Sequence, residues 1–399
     1  MWIQRQIRPV LERIAAQRPV VLLTGARQSG KTSLLETAFA SHGYVSLDEP
    51  LEAEQAEQAG AHFLERHPPP VIVDEVQYAP GLLRVLKYAV DRERERCGQY
   101  LLTGSQKFAL MQGVSESLAG RVAILELHSL SLGEIEGVRG PIDNRPALLE
   151  ALWRGGYPEL LARDLAPPRF YADYVATYLE RDVRQALNVR NLRDFDRFLR
   201  LCATRTGQLL NMNGLAGDVG VSPNTIRSWL SVLEASNVVL LLPPYFANLG
   251  KRLVKSPKLY FLDTGLLCHL LGMRRPDALG DSALLGALFE TLVAGQLVRA
   301  FENRGQRAPL YFYRDHHGNE IDFVIPEGTR AHLIECKWAQ TPTLGRGPAT
   351  VATAFGEERV LSLSCVTPSR TSTQTASGLQ LRNPVDFDWL AGDDVAGAA

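Results

Sequence analysis

Short apolar runs alternate with amphipathic stretches through the first third of the chain. Val20–Thr24, Val71–Asp74, Tyr100–Thr103 and Ala123–Leu127 read as buried strands of a mostly parallel sheet, with helical patterns between them. Gly140 and Pro141, with Pro146 just beyond, mark a first boundary. The stretch 147–205 is rich in Leu, Arg and Glu at helical spacing and predicts an α-helical subdomain. A helix-turn-helix pattern and a basic stretch follow within 206–272. From Leu284 a helix runs to about Arg304, and strands are expected near Leu310–Arg314, Glu320–Ile325 and His332–Cys336. The small, acidic end of the chain, counted from 386 and clearest over Ala391–Ala399, reads as a frayed tail.

At 399 residues the chain exceeds one ordinary core, and roughly 100–200 residues per domain predicts two to four domains. A hydrophobic fraction of 45% and a charged fraction of 22% are globular values and exclude wholesale disorder. The net charge of −1 means that contact with nucleic acid or an anionic membrane must come from local patches. Five scattered cysteines, without a CxxC pair or metal-like spacing, fit free thiols in a reducing compartment. The apolar start at Val20–Leu23 is too short for a signal peptide. The run Val238–Leu242 falls far short of the ~20 residues a membrane helix requires. A soluble, cytoplasmic protein with no membrane partner is expected.

Gly25-Ala26-Arg27-Gln28-Ser29-Gly30-Lys31-Thr32 has the form G-x-x-x-x-G-K-[ST] between a strand and a helix, and Ser33 continues it. Glycines there let backbone N–H groups wrap phosphates at a helix N-terminus. Lys31 would reach the β- and γ-phosphates, and Thr32 would hold Mg2+. The strand Val71–Asp74 leads into Glu75. Asp74 would coordinate Mg2+ through water and Glu75 would polarise the attacking water, a pair that points to hydrolysis rather than binding alone. The same two carboxylates would otherwise cap the next helix. After Leu101-Leu102-Thr103-Gly104, Ser105 suits a γ-phosphate sensor or a plain turn residue. Arg121 is either a finger completing a neighbouring subunit's site, which demands a head-to-tail oligomer, or a surface ion pair.

Together GARQSGKTSLL, VIVDEVQ, LLTGSQ and SLAGRV resemble the bacterial and archaeal AAA-type ATPases that carry a C-terminal DUF4143 region. Gly155-Gly156-Tyr157-Pro158 and Tyr178-Leu179-Glu180-Arg181-Asp182-Val183 resemble the same family, and the likeness spans about residues 1–340. That resemblance implies ATP-dependent action on DNA, and it makes Arg181 a candidate nucleotide-sensing lid residue.

Asn213–Val219, the turn Gly220-Val221-Ser222 and Pro223–Ala235 form the helix-turn-helix, with Ser and Pro marking the second helix start. Ile226, Trp229, Leu230 and Leu233 would face inward. Asn224, Thr225, Arg227, Ser228 and Ser231 would remain outward for phosphates or base edges. No acidic residue lies between Glu234 and Asp263, whereas Lys251, Arg252, Lys255 and Lys258 do. A wing of Val238–Leu242 and Leu259–Leu262 would set that charge beside the helix. This resembles a winged helix, either DNA-binding or docking a protein; four phosphate contacts would give a salt slope of about −0.9 each.

In Glu320–Ile325 and His332–Lys337, alternation puts Glu335 and Lys337 on one face, and a hairpin would bring Asp322 to Glu335. Glu290 lies among apolar neighbours in the preceding helix and needs a partner. The set resembles the PD-(D/E)xK nuclease core. By that likeness Asp322 and Glu335 are Mg2+ ligands, Glu290 an auxiliary acid and Lys337 a contact for water or phosphate. Buried salt bridges in a non-cleaving scaffold are the other reading.

The fold class expected is therefore α/β. An AAA-type P-loop core (1–138) with a helical lid (147–205) precedes a winged helix (206–272) and an α/β nuclease-like domain (280–385). ATP and Mg2+ are the expected cofactors, and duplex or branched DNA the partner. A homo-oligomer is expected, a hexameric ring being one form it could take. The expected activity is an ATP-driven motor remodelling or translocating DNA in repair, recombination or defence. An ATP-gated nuclease and a nucleotide-switched DNA- or protein-binding regulator are the alternatives.

Overall fold

The apolar runs of the first third pair as a five-stranded parallel sheet. In the computed structural model, which describes residues 1–105, 117–179, 192–245, 255–375 and 379–390, this part holds α1 (Arg8–Ala15), β1 (Val20–Thr24), α2 (Lys31–Ala38), β2 (Gly43–Ser46), α3 (Pro50–Gln58), α4 (Gly60–Arg66), β3 (Val71–Asp74), α5 (Leu82–Arg92), β4 (Tyr100–Gly104) and β5 (Val122–Glu126). The strand order is β2-β3-β4-β1-β5. Alternation along β1 and β3 divides the core in two. Val20, Leu22, Val71 and Val73 pack with Phe63, Leu82 and Leu86 on one face, while Val21, Leu23 and Ile72 pack with Ile7, Leu11 and Leu34 on the other. Strand β2 was not expected. It is an edge strand whose Gly43 and Tyr44 are exposed and whose Val45 alone is buried, so it shows no apolar run.

A capping box at Ser131 and Glu134 starts α6 (Leu132–Arg139), and Asn144 caps α7 (Arg145–Arg154). Further helices are α8 (Pro158–Ala162), α9 (Pro167–Tyr174) and α10 (Leu192–Thr204). Next come β6 (Gln208–Leu209), α11 (Met212–Val219), α12 (Pro223–Ala235), β7 (Val239–Leu242) and β8 (Lys258–Phe261). Helices α11 and α12 are joined by a tight turn through Gly220, and β6, β8 and β7 form an antiparallel sheet in that order.

The remaining elements are α13 (Thr264–Leu270), α14 (Asp277–Gly280), α15 (Leu285–Glu302), β9 (Tyr311–Arg314), β10 (Glu320–Glu327), β11 (Arg330–Cys336), α16 (Arg346–Phe355), β12 (Val360–Val366), β13 (Thr373–Gln374) and β14 (Gln380–Arg382). They build a mixed six-stranded sheet ordered β13-β14-β12-β11-β10-β9. The end of the chain departs from expectation: Phe387 and Leu390 are buried in the core, so the segment up to 390 is packed rather than frayed, and 391–399 lies outside the described residues.

One large apolar cluster joins the helices and the small sheet that follow the parallel sheet to one face of the six-stranded sheet. The other face of that sheet packs with α16 in a separate cluster. The large cluster runs from Leu130 through Phe195, Trp229 and Phe289 to Leu390. At its polar centre Asp263 accepts hydrogen bonds from Ser129 Oγ (3.1 Å), Tyr171 OH (2.7 Å) and the Gly156 and Leu266 amides (2.9 and 3.0 Å). Gly155 approaches this hub at φ +75°, where a Cβ would sit 2.1 Å from the Tyr171 hydroxyl and 2.5 Å from Asp263 Oδ1. Only glycine fits. Among the described residues no helix is long and apolar enough to cross a membrane.

Candidate functional site

The phosphate loop leaves the carboxyl end of β1, as its sequence requires. Gly25 has φ +145° and its missing Cβ would overlap the Leu127 carbonyl oxygen at 2.0 Å, so the loop can close against β5 only without a side chain. Gln28 (φ +60°) and Gly30 (φ +91°) turn the backbone before α2 begins at Lys31. Ala26 is buried, Arg27 partly buried, and Ser33 exposed on the outer face of α2. Lys31 is buried and donates to the Gly25 and Ala26 carbonyls at 3.2 and 2.9 Å. Ser29 Oγ is buried without a hydrogen-bond partner. A loop of turned backbone carrying a buried ammonium and an unsatisfied hydroxyl suits a polyphosphate.

Strand β3 delivers the acidic pair to the same place. Asp74 Oδ1 accepts from Thr32 Oγ1 at 2.8 Å and from Thr103 Oγ1, and Asp74 Oδ2 accepts from Tyr44 OH at 3.2 Å. Thr32 and Asp74 are thus the pair that would share Mg2+. Burial, then the Asp74 charge, pushes the Tyr44 phenol up to about 12, so it stays a donor. Glu75 adopts a left-handed conformation (φ 56°) with its amide donating to Thr103 Oγ1 at 3.0 Å. The Glu75 carboxylate accepts from Gln77 Nε2 and, at 3.2 Å, from Ser105 Oγ. Ser105 therefore stands beside the Glu75 carboxylate.

Arg121 is elsewhere. It precedes β5, and the parallel register Val20↔Val122, Thr24↔Glu126 puts it at the end of the sheet opposite the phosphate loop, roughly 13 Å of strand away. Its guanidinium forks onto Asp91 at 2.7 and 2.9 Å, the surface ion pair that was one of its two readings. Arg181, Lys251 and Arg252 lie outside the described residues.

On α12, Ile226, Trp229, Leu230 and Leu233 are buried as expected, and Asn224, Arg227, Ser228 and Ser231 are exposed. Thr225 is half-buried, its hydroxyl paired with the capping Ser222 at 2.9 Å. Lys255 is exposed. Lys258 corrects the expectation for the wing: it is 2% exposed and reaches no surface phosphate. Residues 258 and 260 share one face of β8, and that face turns inward to the carboxylates.

The Lys258 ammonium lies 3.0 Å from Glu290 Oε1, 2.5 Å from Glu320 Oε1 and 3.7 Å from Asp322 Oδ1. Tyr260 OH donates to Glu290 Oε1, the Cys336 amide donates to Asp322 Oδ2 at 2.8 Å, and Lys337 pairs with Glu335 Oε1 at 2.7 Å. Burial, reinforced by the Glu290 charge, raises the Asp322 carboxyl to about 7. Burial and the Asp322 charge raise Glu335 to about 7 as well. The neighbouring carboxylates outweigh burial at Lys258 and hold its pKa above the usual lysine range. Glu290, Asp322 and Glu335, the expected Mg2+ residues, do come together around the Lys258 ammonium and the Lys337 side chain. Among the described residues no three acidic, His or Cys groups are arranged to hold a metal, and the position between Glu290 and Asp322 belongs to an ammonium group.

The AAA domain model matches residues 17–136, a domain of unknown function, DUF8612, matches 145–277, and DUF4143, also a domain of unknown function, matches 285–353. Uncharacterized proteins of Mycobacterium tuberculosis and Mycobacterium bovis are 35% identical over 347 residues, covering 84% of this chain and 74% of theirs. The chain belongs to the AAA-type P-loop ATPases with a DUF4143 region. Among solved structures, a Walker-type ATPase of Pyrococcus abyssi is 16% identical with a TM-score of 0.45, covering 68% of this chain and 96% of its own. A RuvB of Thermotoga maritima is 18% identical with a TM-score of 0.31, covering 60% and 88%. Both are distant likenesses.

Within this family fold, sequence reasoning missed Arg5, Tyr44, Gln77 and Thr103. Arg5 is buried and donates to Ser29 O (2.8 Å), His128 O (2.7 Å) and Glu134 Oε1 (3.1 Å), tying the phosphate loop to the start of α6. Arg5 and Tyr44 lie in no recognisable motif; Gln77 and Thr103 lie within VIVDEVQ and LLTGSQ, but their bonds to Glu75 and Asp74 were not legible there.

Proposed function

We propose that the chain is an ATP-hydrolysing motor that binds DNA and remodels or translocates it as a duplex or branched structure. The observation that carries the reading is the joined pair of Thr32 on Asp74 beside Glu75, with Lys31 at the helix start. Mg2+–ATP, when bound, supplies the phosphoanhydride and neutralises its charge. Lys31 rests on two carbonyls that it can exchange for phosphate oxygens. Thr32 and Asp74 would hold Mg2+, while the Thr103 and Tyr44 hydroxyls fix the Asp74 carboxylate. Glu75, held by Gln77 and Ser105, takes the proton of the attacking water. Ser105 is freed or engaged as the γ-phosphate leaves, which gives the site a way to report its state.

A contiguous polar route leads outward from that loop. Ser29 is bonded to Arg5, Arg5 to His128 and Glu134, and neighbouring Ser129 to both Asp263 and Arg299. Arg299 on α15 also donates to the Leu262 carbonyl at 2.7 Å, immediately after β8. The C-terminal half of α12, through Ser231 and Glu234, borders a cleft of about 850 Å3 shared with Glu126 and His128 of the ATPase core. A two-state shift of this route would move the winged helix with the nucleotide state. DNA contact rests on the exposed Asn224, Arg227, Ser228 and Ser231 of α12 and on Lys255. Arg121 would serve a neighbouring subunit only by leaving Asp91, and a ring is the assembly that would present it.

The test is turnover with and without DNA in wild type and Glu75→Gln. The reading expects DNA to raise ATP hydrolysis, and the variant to lose about 10²–10⁴-fold in turnover while still binding ATP. Turnover indifferent to every DNA form would favour a nucleotide-switched regulator of a protein partner.

A further inference from the structure

We propose that Lys258 is the resident cation of the C-terminal carboxylate cluster, so that the cluster clamps β8 to α15 and β10 without a divalent metal and cleaves no phosphodiester. The inference stands independently of the DNA reading, because it concerns only what occupies this cluster.

Its first support is position. The Lys258 ammonium is within 4 Å of carboxylate oxygens of Glu290 on α15 and of Glu320 and Asp322 on β10, three groups contributed by two elements remote in sequence from β8. A metal placed there would meet a fixed positive charge at ligand distance. Its second support is confinement. Lys258 pairs with Leu209 on one side and Leu242 on the other, and its ammonium lies 5.6 Å from the Phe312 ring. The Lys258 side chain is only 3% exposed. Swinging it aside would leave the buried Asp322 carboxylate beside the half-buried carboxylates of Glu290 and Glu320 with no cation between them, which costs free energy.

Charge balance gives the third support. Lys258, Lys337 and Arg314 face Glu290, Glu320, Asp322 and Glu335, with Arg314 paired to Glu320 at 3.2 Å. Three cations against four carboxyls leave a single negative charge over. A divalent ion would overshoot. The ammonium thus does structurally what a metal would do, drawing carboxylates of two elements onto one point, but offers no open coordination position for water or phosphate.

The experiment uses the full chain without nucleotide and reads Mn2+ binding by electron paramagnetic resonance alongside melting temperature with and without Mn2+. Wild type is expected to melt at the same temperature in either condition and to bind no Mn2+ that Glu335→Gln removes. Lys258→Met is expected to melt lower, and Mn2+ is expected to raise its melting temperature; the double variant Lys258→Met/Glu335→Gln should lose that rescue. Lys258→Arg should keep the wild-type indifference to metal. Wild type binding one Mn2+ per chain that disappears in Glu335→Gln would overturn the proposal, as would a folded Lys258→Met that is as stable as wild type and blind to Mn2+. Should Lys258→Met fail to fold, the comparison of wild type with Glu335→Gln still decides.

Discussion

At the scale of single residues, the acidic centre of the nucleotide site depends on hydroxyls. Three of them, from Thr32, Thr103 and Tyr44, converge on Asp74. Tyr44→Phe removes one without touching the phosphate loop. It is expected to leave ATP affinity near wild type and to lower kcat by about tenfold, measured by steady-state kinetics; an equal loss in affinity would mean Tyr44 contacts the nucleotide itself. The carboxylate cluster carries a pH signature. Glu335 is held near 7 in the folded chain, above its unfolded value of about 4, so its contribution is fully present below that lower value. The contribution is lost as pH rises through about 7. The stability of Glu335→Gln relative to wild type should therefore grow as pH rises from about 4 to about 7 in denaturant titrations. A difference that shrinks over that window would contradict the assignment.

The central strands of the parallel sheet were legible because they are completely buried. Edge strand β5 was legible from its apolar run, although it is largely half-exposed rather than buried. Strands β1, β3 and β4 are buried along their whole length and show as unbroken apolar runs, whereas edge strand β2 buries a single residue and shows nothing. Helix α12 was legible because its cap, its proline and its apolar stripe agree. The basic wing was misread at Lys258 for an equally physical reason. A lysine at a strand start reads as solvated, and only the tertiary fold brings Glu290 and Asp322 to its ammonium. The phosphate loop and the Asp74–Glu75 pair were plain in the sequence because backbone chemistry dictates their residue types, while Arg5 and Tyr44 act through distances that no spacing encodes. At this scale Gly155 offers the sharpest test. Gly155→Ala would drive a methyl group into Tyr171 and Asp263, and should cost about 3 kcal/mol or more in a denaturant titration. A loss below ~1 kcal/mol would show that the hub yields.

Across the whole molecule, one apolar cluster takes in the helices, the helix-turn-helix and one face of the C-terminal sheet, so these are expected to respond to nucleotide together. The burial of Lys258 also lowers the charge available to DNA. Arg227→Ala and Lys255→Ala should each flatten the dependence of log affinity on log salt by about 0.9 in fluorescence titrations. Unchanged slopes in both would move the contact away from this face. The most direct test of an ATP-driven DNA remodeller is to mix the full chain with Mg2+–ATP and labelled four-way-branched DNA, and to run native and denaturing gels with Glu75→Gln as the control. The expected result is rearranged or separated strands of full length, lost in Glu75→Gln. Branched DNA left intact while ATP is hydrolysed, or strands that are cut, would contradict it.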